Sequence, residues 1–233
     1  MDPADSHPAF GAAAAAIVAA GRRLGARRLV AGTDGNLSVR LGPFALAVTP
    51  SGRRKDELAP GDILAVPLQA SDEPRRDGVR PGDQARRPTS DLAVHRAVYA
   101  ARPTAGAIAH AHPPAVLACL LAGLRPDPEA LPEARAVLGR IAHVAALPFG
   151  SPEVAAATAA ALADPDVGAV LLDRHGALAV GATLDEAVDR LEVLDLLCGA
   201  WLAARPASRD PRRRVGPRAA PGPVPSGPRR RTP

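Results

Sequence analysis

The sequence predicts an α/β or α+β domain with about six or more strands and with helices on the outside. Short apolar runs end in turns rich in glycine, proline and asparagine, which is typical of strands. Longer segments rich in alanine and leucine follow serine, threonine or aspartate, which is typical of helix starts. A chain of 233 residues, of which 47% are hydrophobic, is long enough to bury a core of this kind.

The first half of the chain is predicted to begin with a helix and to continue with three strands and a second helix. The helix formers of "PAFGAAAAAIVAAGRRLGARRL" predict the first helix. The strands are predicted in "NLSVRL", "FALAV" and "DILAVPL", each beside a turn containing glycine. After a polar connector over 69–88, "TSDLAVHRAVYAARP" has the Ser/Asp start and the final proline of a helix.

The second half is predicted to alternate strands and helices. The strand "AGAIAHAH" precedes the helix "PAVLACLLAG", and residues 125–149 contain one short helix, "PEARAVLG". The helix "SPEVAAATAAALAD" begins at a serine cap. In "VGAVLLDRHGALAV" two strands flank a turn, and "TLDEAVDRLEVLDLLCGAWLAAR" is a long amphipathic helix.

The basic character of the chain is concentrated at its C-terminal end. Residues 206–233 hold eight arginines against one aspartate, a balance of +7, which leaves about −2 of the net +5 to residues 1–205. We expect residues 1–205 to form one domain. We expect 206–233 to be a disordered tail, because its Pro/Gly/Arg composition cannot bury enough surface to fold. The tail lacks aromatic side chains that stack on bases, which disfavours nucleic acid as a partner.

The cysteines and the apolar runs indicate the compartment. Cys119 and Cys198 lie in apolar, helix-like segments without a partner at metal-binding spacing, so we expect two buried free thiols. No apolar run approaches the ~18 residues that span a bilayer. The first residues also lack the basic stretch of a signal peptide. We therefore expect a cytoplasmic protein that does not enter a membrane.

Two histidines, His110 and His112, lie one residue apart at the end of a predicted strand. Successive side chains on a strand point to opposite faces, so both imidazoles project to the same side. Zinc usually takes three or four ligands, so a third must come from elsewhere in the fold. His175 is the best candidate, because Gly176 after it allows a close approach of the backbone. On the residues alone, a metal site and ordinary packed or solvated histidines both remain open.

Three polar turns could bind an anion. The turns "GTDGN" and "TPSG" lie beside predicted strands, and "PTSD" opens a predicted helix. A helix N-terminus attracts anions through its free N–H groups and its dipole. Together the three turns could hold a phosphate, although each one alone has the composition of an ordinary turn.

Five motifs, taken in order, resemble the class II aldolase/adducin family. They are "GTDGNLSVR", "VTPSG", "RPTSDLAVHRAVYAARP", "GAIAHAHPPAV" and "LLDRHGALAVG". The resemblance covers about residues 10–205. It implies a three-layer α/β/α fold around a mostly antiparallel central sheet. It also implies a homotetramer with active sites at the subunit interfaces.

The resemblance further implies a metal site and a phosphate site. His110, His112 and His175 correspond to the ligands of one zinc ion per subunit, or of another divalent metal in its place. Asp91 stands where the aldolases carry a glutamate that acts as acid and base and can touch the metal. The residues that correspond to the phosphate-holding turns are Gly35, Asn36, Ser51, Gly52, Thr89 and Ser90.

The implied reaction is the cleavage of a ketose phosphate, such as L-fuculose 1-phosphate, through an enediolate that the metal stabilises. The alternatives on the same site are a sugar-phosphate 4-epimerase, a dehydratase and a decarboxylase. A non-catalytic, adducin-like binding module is a third class of function, but it would not need three histidines and an acid. In each enzymatic case the expected partner is a phosphorylated sugar.

Several positions depart from the aldolase pattern. Asp91 is one methylene shorter than glutamate and matches the epimerases. The tyrosine acid of the aldolases is missing, because Tyr99 is the only tyrosine and is expected to be structural. His95, in the same helix, is expected to be a packing residue. Lys55, the only lysine, lies in an exposed-looking segment where many relatives have tyrosine. Glu133 falls where the related methylthioribulose-phosphate dehydratases have a catalytic glutamate, although a surface carboxylate at a helix start is also typical.

Overall fold

The computed structural model describes residues 9–69, 87–148 and 150–209. Its strands are β1 (Asn36–Arg40), β2 (Ala45–Val48), β3 (Leu64–Pro67), β4 (Ala107–Ala111), β5 (Arg140–Val144), β6 (Val167–Leu172) and β7 (Gly176–Gly181). Its helices are α1 (Phe10–Ala26), α2 (Leu92–Ala101), α3 (Pro114–Leu121), α4 (Pro132–Leu138), α5 (Pro152–Leu162) and α6 (Leu184–Arg209). The elements follow the predicted order, with β5 as an addition in a segment where the sequence predicts only a short helix.

Seven strands in the described part of the chain form one sheet, in the order β3-β2-β1-β4-β7-β6-β5. Every neighbouring pair is antiparallel except β5 and β6, which run parallel. The strand β4 lies between β1 and β7, and all five of its residues are buried. The expectation of a mostly antiparallel sheet is confirmed, and the strand with the paired histidines lies at its centre.

Helices cover both faces of the sheet and form two separate cores. The first core contains residues of four helices, among them Ile17 of α1, Cys119 of α3, Leu138 of α4 and Leu191 of α6. The second core contains residues of the other two, among them Val98 of α2 and Leu162 of α5. Because the sheet lies between them, the three-layer α/β/α architecture is confirmed.

The two-residue period of β4 decides which core its histidine faces. Ala107, Ala109 and Ala111 pack in the first core, whereas Ile108 packs in the second. Since side chains alternate along a strand, the ring of His110 projects to the same side as Ile108, toward α2 and α5. The cavities described below lie on this side.

The long helix α6 begins with two reciprocal bonds. The Oγ1 of Thr183 accepts from the backbone N of Glu186 at 3.2 Å, and the Glu186 carboxylate accepts from the backbone N of Ala182 at 2.7 Å. These bonds satisfy N–H groups that a helix start leaves free. No helix among the described residues is long and apolar enough to cross a membrane.

The helix α6 continues to Arg209, beyond the domain boundary that we expect at residue 205. Residues 210–233, the rest of the predicted tail, lie outside the described residues, as do 70–86 of the predicted connector. The disorder of the tail stays a prediction. Cys119 and Cys198 are buried and neither forms a disulfide, as predicted.

Candidate metal centre and its two cavities

Three histidines converge at one end of β4 and β7. His110 is the fourth residue of β4, His112 follows the strand by one residue, and His175 lies in the turn between β6 and β7. The Nε2 atoms of His110 and His112 are 3.2 Å apart, and the ring of His175 lies 4.7 Å from each of the other two rings, centre to centre. One nitrogen from each ring lies within 4.8 Å of the others. We call these three residues the histidine cluster.

Two glycines allow the strands to approach this closely. A Cβ atom on Gly176 would lie 2.6 Å from Cδ2 of His112 and 2.5 Å from the backbone O of Ala111. The predicted close approach at Gly176 is therefore confirmed. Gly35 has a φ of +72°, and a Cβ atom on it would lie 2.6 Å from the backbone O of His110. A side chain at either position would displace a histidine of the cluster.

The partners of the rings direct lone pairs toward one point. The backbone oxygen of Ala177 can only accept, so Nδ1–H of His110 donates to it over 2.9 Å. Nδ1 of His112 lies 3.2 Å from Oδ2 of Asp34. The bond to Ala177 leaves a lone pair on Nε2 of His110, and a proton on Nδ1 of His112, facing Asp34, would leave one on Nε2 of His112 as well. Two lone pairs at 3.2 Å repel each other unless a cation or a proton lies between them.

The protonation of the cluster also fits a metal. Burial and the neighbouring rings of His175 and His112 hold the pKa of His110 well below its usual range. Burial likewise lowers the pKa of His175. Metal ions bind the neutral imidazole, and ligand histidines characteristically donate their second N–H to a carbonyl or carboxylate. The cluster could therefore hold a divalent ion such as zinc.

Asp91 lies beside the cluster at the N-terminal end of α2. It is 6% exposed, and its Oδ2 lies 3.8 Å from Nε2 of His110. The same oxygen accepts a hydrogen bond from Nδ2 of Asn36 at 2.7 Å. Asp91 is not one of the residues whose ligand atoms share the 4.8 Å cluster. It is placed to exchange a proton with a molecule bound at the histidines.

A cavity of about 260 Å³ opens on one side of the cluster, and we call it the polar cavity. Asp91 and the three histidines form part of its wall. The structure also places there every residue that the sequence predicts to bind phosphate: Gly35, Asn36, Ser51, Gly52, Thr89 and Ser90. The three polar turns therefore lie together, while their role in binding phosphate stays a prediction.

Lys55 also lines the polar cavity, and its sequence context gives the wrong expectation. It is 2% exposed rather than exposed. Its ammonium group donates to the backbone oxygens of Thr33 at 2.7 Å and Arg53 at 2.6 Å. Burial lowers the pKa of Lys55 to about 8. Within the described residues no carboxylate lies within 4 Å of this cation, although the charges of Asp34 and Asp56 act on its pKa from farther away. An anion in the cavity would add a direct counter-charge.

A second cavity, of about 430 Å³, shares Asp91, His110 and His175 with the first. Most of its wall is apolar, and we call it the apolar cavity. Its aliphatic side chains include Val94, Val144, Leu147, Val154, Leu172 and Leu178. They come from α2, β5, α5, β6, β7 and the segment after β5, so no continuous sequence motif marks them. Sequence reasoning missed this cavity for that reason.

The remaining candidates lie outside the two cavities. Tyr99 is 1% exposed, and its hydroxyl contacts Ser38, which agrees with a structural role. Glu133 is exposed in the first turn of α4 and is not among the residues that line either cavity. His95 is fully buried and bonded through both ring nitrogens to Ser38 and Asn36. The prediction that His95 is a packing residue therefore covers only its burial and not its two hydrogen bonds.

Proteins with known names resemble the chain over most of its length. The sequence profile of the Class II Aldolase and Adducin N-terminal domain matches residues 15–202. A methylthioribulose-1-phosphate dehydratase of Acidiphilium cryptum is 34% identical over 204 residues, which cover 84% of this chain and 92% of the relative. A 5-methylthioribulose-1-phosphate/5-deoxyribulose-1-phosphate aldolase of Rhodospirillum rubrum is 33% identical over 189 residues, which cover 79% and 78%.

Among solved structures, the L-fuculose-1-phosphate aldolase of Thermus thermophilus has the same fold. It superimposes with a TM-score of 0.69 and 31% identity, and the match covers 87% of this chain and 97% of that one. The profile match, the two relatives and this structure agree with the motifs and the sheet order described above. The chain belongs to the class II aldolase and adducin family.

Proposed function

We propose that this protein is a divalent-metal-dependent lyase that removes water from a pentulose 1-phosphate with an apolar 5-substituent, such as 5-methylthioribulose 1-phosphate. The observation that carries the proposal is the meeting of two unlike cavities at the histidine cluster. One cavity holds a buried cation and three polar turns, and the other is walled mostly by aliphatic side chains, with Thr158, Asp173 and Arg174 also in its lining. A ligand that lies across the cluster would therefore have an anionic end and an apolar end. The name of the Acidiphilium cryptum relative describes such a substrate.

The histidine cluster is the proposed place of the metal. His110, His112 and His175 would hold it through neutral imidazoles, with zinc as the expected ion. A divalent cation held there supplies a Lewis acid that stabilises the negative charge of an enediolate. The backbone oxygen of Ala177 and the carboxylate of Asp34 orient two of the three rings.

Asp91 is the proposed acid and base. It takes the proton from C3 of the ketose, and the hydroxyl group on C4 then leaves as water with a proton returned by the carboxyl group. The remaining enol becomes a 2,3-diketone, so the net change is the loss of one water molecule. The position of Asp91, with its Oδ2 3.8 Å from Nε2 of His110, supports this role, because general acid–base catalysis requires a group that can take up and return a proton beside the reacting carbons.

Lys55 and the three turns are proposed to hold the phosphate group. Backbone N–H groups and the N-terminal end of α2 would share this task with the side chains of Ser51, Thr89 and Ser90. The buried ammonium group of Lys55 would add a charge-assisted hydrogen bond. Assembly into a homotetramer remains an expectation from the resemblance.

Product analysis tests the proposal. The zinc-loaded protein is incubated with 5-methylthioribulose 1-phosphate, and the products are followed by 31P NMR and mass spectrometry. We expect a diketone phosphate with the mass of one water removed, and no dihydroxyacetone phosphate. L-Fuculose 1-phosphate, which has a more polar chain beyond C4, serves as the comparison substrate. Faster turnover of L-fuculose 1-phosphate, or no turnover of either compound, would contradict the proposal.

A second candidate function is the retro-aldol cleavage of the same class of substrate. The resemblance to the Rhodospirillum rubrum and Thermus thermophilus aldolases favours it. In this reaction Asp91 would take the proton from the C4 hydroxyl group rather than from C3, and the C3–C4 bond would break. Dihydroxyacetone phosphate and a short aldehyde are then the products. Their appearance in the experiment above would select this candidate. An adducin-like binding module predicts no bound metal and no product at all.

A further inference from the structure

A buried chain of hydrogen bonds leads to Asp91 from the second core. Nδ2 of Asn36 lies 2.7 Å from Oδ2 of Asp91, and Oδ1 of Asn36 lies 2.6 Å from Nε2 of His95. Nδ1 of His95 lies 2.6 Å from Oγ of Ser38, which lies 2.9 Å from the hydroxyl of Tyr99. None of the five residues is more than 6% exposed. We call this arrangement the Asp91 chain.

Chemistry fixes the direction of each bond in the Asp91 chain. A carboxylate can only accept, so the amide nitrogen of Asn36 donates to Asp91. The amide oxygen then faces His95, and Nε2 of His95 must carry the proton. Burial lowers the pKa of His95 to about 4, so the ring is neutral near pH 7, and its Nδ1 accepts from Ser38. Because the Ser38 proton goes to His95, Tyr99 is the donor toward Ser38, and its single proton has two acceptors there, Oγ at 2.9 Å and the backbone oxygen at 3.1 Å.

These bonds occupy both ends of the Asn36 side chain. The sequence predicts Asn36 to hold the substrate phosphate, but its amide oxygen is bonded to His95 and its amide nitrogen to Asp91. On the sheet, Asn36 of β1 pairs with His110 of β4. Asn36 therefore lies between the buried His95 and the edge of the histidine cluster, where it contacts the proposed acid and base.

We propose that His95 is a positioning residue that fixes the carboxylate of Asp91 through Asn36. By donating from Nε2, His95 holds the amide oxygen of Asn36 toward itself and the amide nitrogen toward Asp91. Without that donor, the amide could turn by half a rotation and place its oxygen against the carboxylate. The kinetic part of this inference rests on the proposed function of Asp91, whereas the direction of the hydrogen bonds does not.

Two substitutions of His95 separate positioning from packing. In His95→Gln the amide nitrogen reaches the place of Nε2 and can still donate to Asn36. In His95→Asn the shorter side chain reaches only the place of Nδ1, so it keeps Ser38 and loses Asn36. With the zinc-loaded, full-length protein we expect His95→Asn to lower kcat about 30-fold with KM within about threefold of wild type. We expect His95→Gln to keep kcat within about fivefold.

Thr183→Ala is the control for stability. It removes the cap of α6 at the end of β7 that is remote from His175, so it should lower the melting temperature and leave kcat unchanged. Equal losses of kcat in both His95 variants would overturn the proposal. A wild-type kcat in His95→Asn, or a rise in its KM in place of the fall in kcat, would also overturn it.

A measurement that does not need activity keeps the two proposals distinguishable. In wild-type protein labelled with 15N-histidine, NMR should show His95 as the neutral Nε2–H form with a slowly exchanging ring proton. Asn36→Ala should remove that slow exchange, whereas Thr183→Ala should preserve it. If the wild type converts no ketose phosphate, the proposed function fails and this spectrum still tests the Asp91 chain. An Nδ1–H form of His95 would contradict it.

Discussion

The polar and apolar cavities share Asp91, His110 and His175 and differ in nearly everything else that lines them. The polar cavity is lined largely by turn residues, several of which carry hydroxyl groups, and by the ammonium group of Lys55. The apolar cavity is lined mostly by valine, leucine, alanine and proline, which come from helices, strands and the segment after β5, and Thr158, Asp173 and Arg174 are its further polar residues. The difference favours one orientation of a bound molecule, because an anionic group would meet the ammonium group of Lys55 and several hydroxyl groups on one side and mostly aliphatic side chains on the other. Under the proposed function, the polarity of the substrate would set which end lies on which side of the cluster.

Loss of one histidine of the cluster should have the largest effect, because the two cavities meet at the cluster. His112→Ala leaves two imidazoles for the metal, and we expect kcat/KM to fall by about 1000-fold or more, since a Lewis acid contributes several kcal/mol to such reactions. Metal content after dialysis should fall with activity. Thr183→Ala, which is remote from the cluster, is the control and should keep its metal. Full activity in metal-free His112→Ala protein would disprove the role of the cluster.

Asp91→Asn should have the next largest effect. The amide keeps the size of the side chain but cannot take a proton, so we expect kcat to fall by about 100-fold to 1000-fold. Because the three imidazoles remain, metal content should match that of the wild type. Loss of the metal together with activity would instead indicate that Asp91 is a ligand of the metal. A kcat near the wild-type value would remove Asp91 from the reaction.

On the polar side, Lys55→Met should raise KM about tenfold, with a smaller change in kcat. This factor corresponds to the binding free energy of one charge-assisted hydrogen bond. Burial depresses the pKa of Lys55 to about 8, so the charged form that binds phosphate is present below that pH and is lost above it. The KM of the wild type should therefore rise between pH 7 and pH 9.5. This rise in KM should be absent from Lys55→Met. A wild-type KM that does not change with pH would contradict the proposed role of Lys55 in binding the phosphate.

On the apolar side, Val94→Thr should have the smallest effect, and it should act on selectivity. The added hydroxyl makes the wall polar at constant size. We expect the preference in kcat/KM for the 5-methylthio substrate over ribulose 1-phosphate to fall by about threefold to tenfold. Val98→Thr, one turn later on α2 and buried away from the cavity, is the control. An unchanged preference in Val94→Thr would mean that the substituent does not enter the apolar cavity.

The sequence predicts the polar half of the site well because its signals are local. A spacing of two residues on a strand is enough to place the side chains of His110 and His112 on one side of the sheet. Gly176 indicates that another segment can approach the backbone closely next to His175. Turn composition identifies the residues of the polar cavity. The antiparallel order of the sheet and the ligand set come from the resemblance to the family rather than from residue patterns.

The parts that the sequence does not predict depend on contacts between distant segments. Lys55 looks exposed in its charged surroundings, but α1 packs against its backbone so closely that a Cβ on Gly21 would lie 2.1 Å from the oxygen of Lys55. His95 has the spacing of a packing residue, and only the pairing of β1 with β4 brings Asn36 between it and the cluster. The strand β5 pairs in parallel with β6. This pairing is a contact between distant segments, and the five residues of β5 alone do not predict it.

X-ray absorption spectroscopy of the zinc-loaded protein examines the histidine cluster most directly. Three imidazole nitrogens at about 2.0–2.1 Å from a single zinc ion are expected, with oxygen ligands completing the shell. The spectrum of His112→Ala should lose imidazole scattering or lose zinc altogether. A zinc ion surrounded by oxygen alone, or a wild-type protein that retains no metal after reconstitution and dialysis, would contradict the shared site.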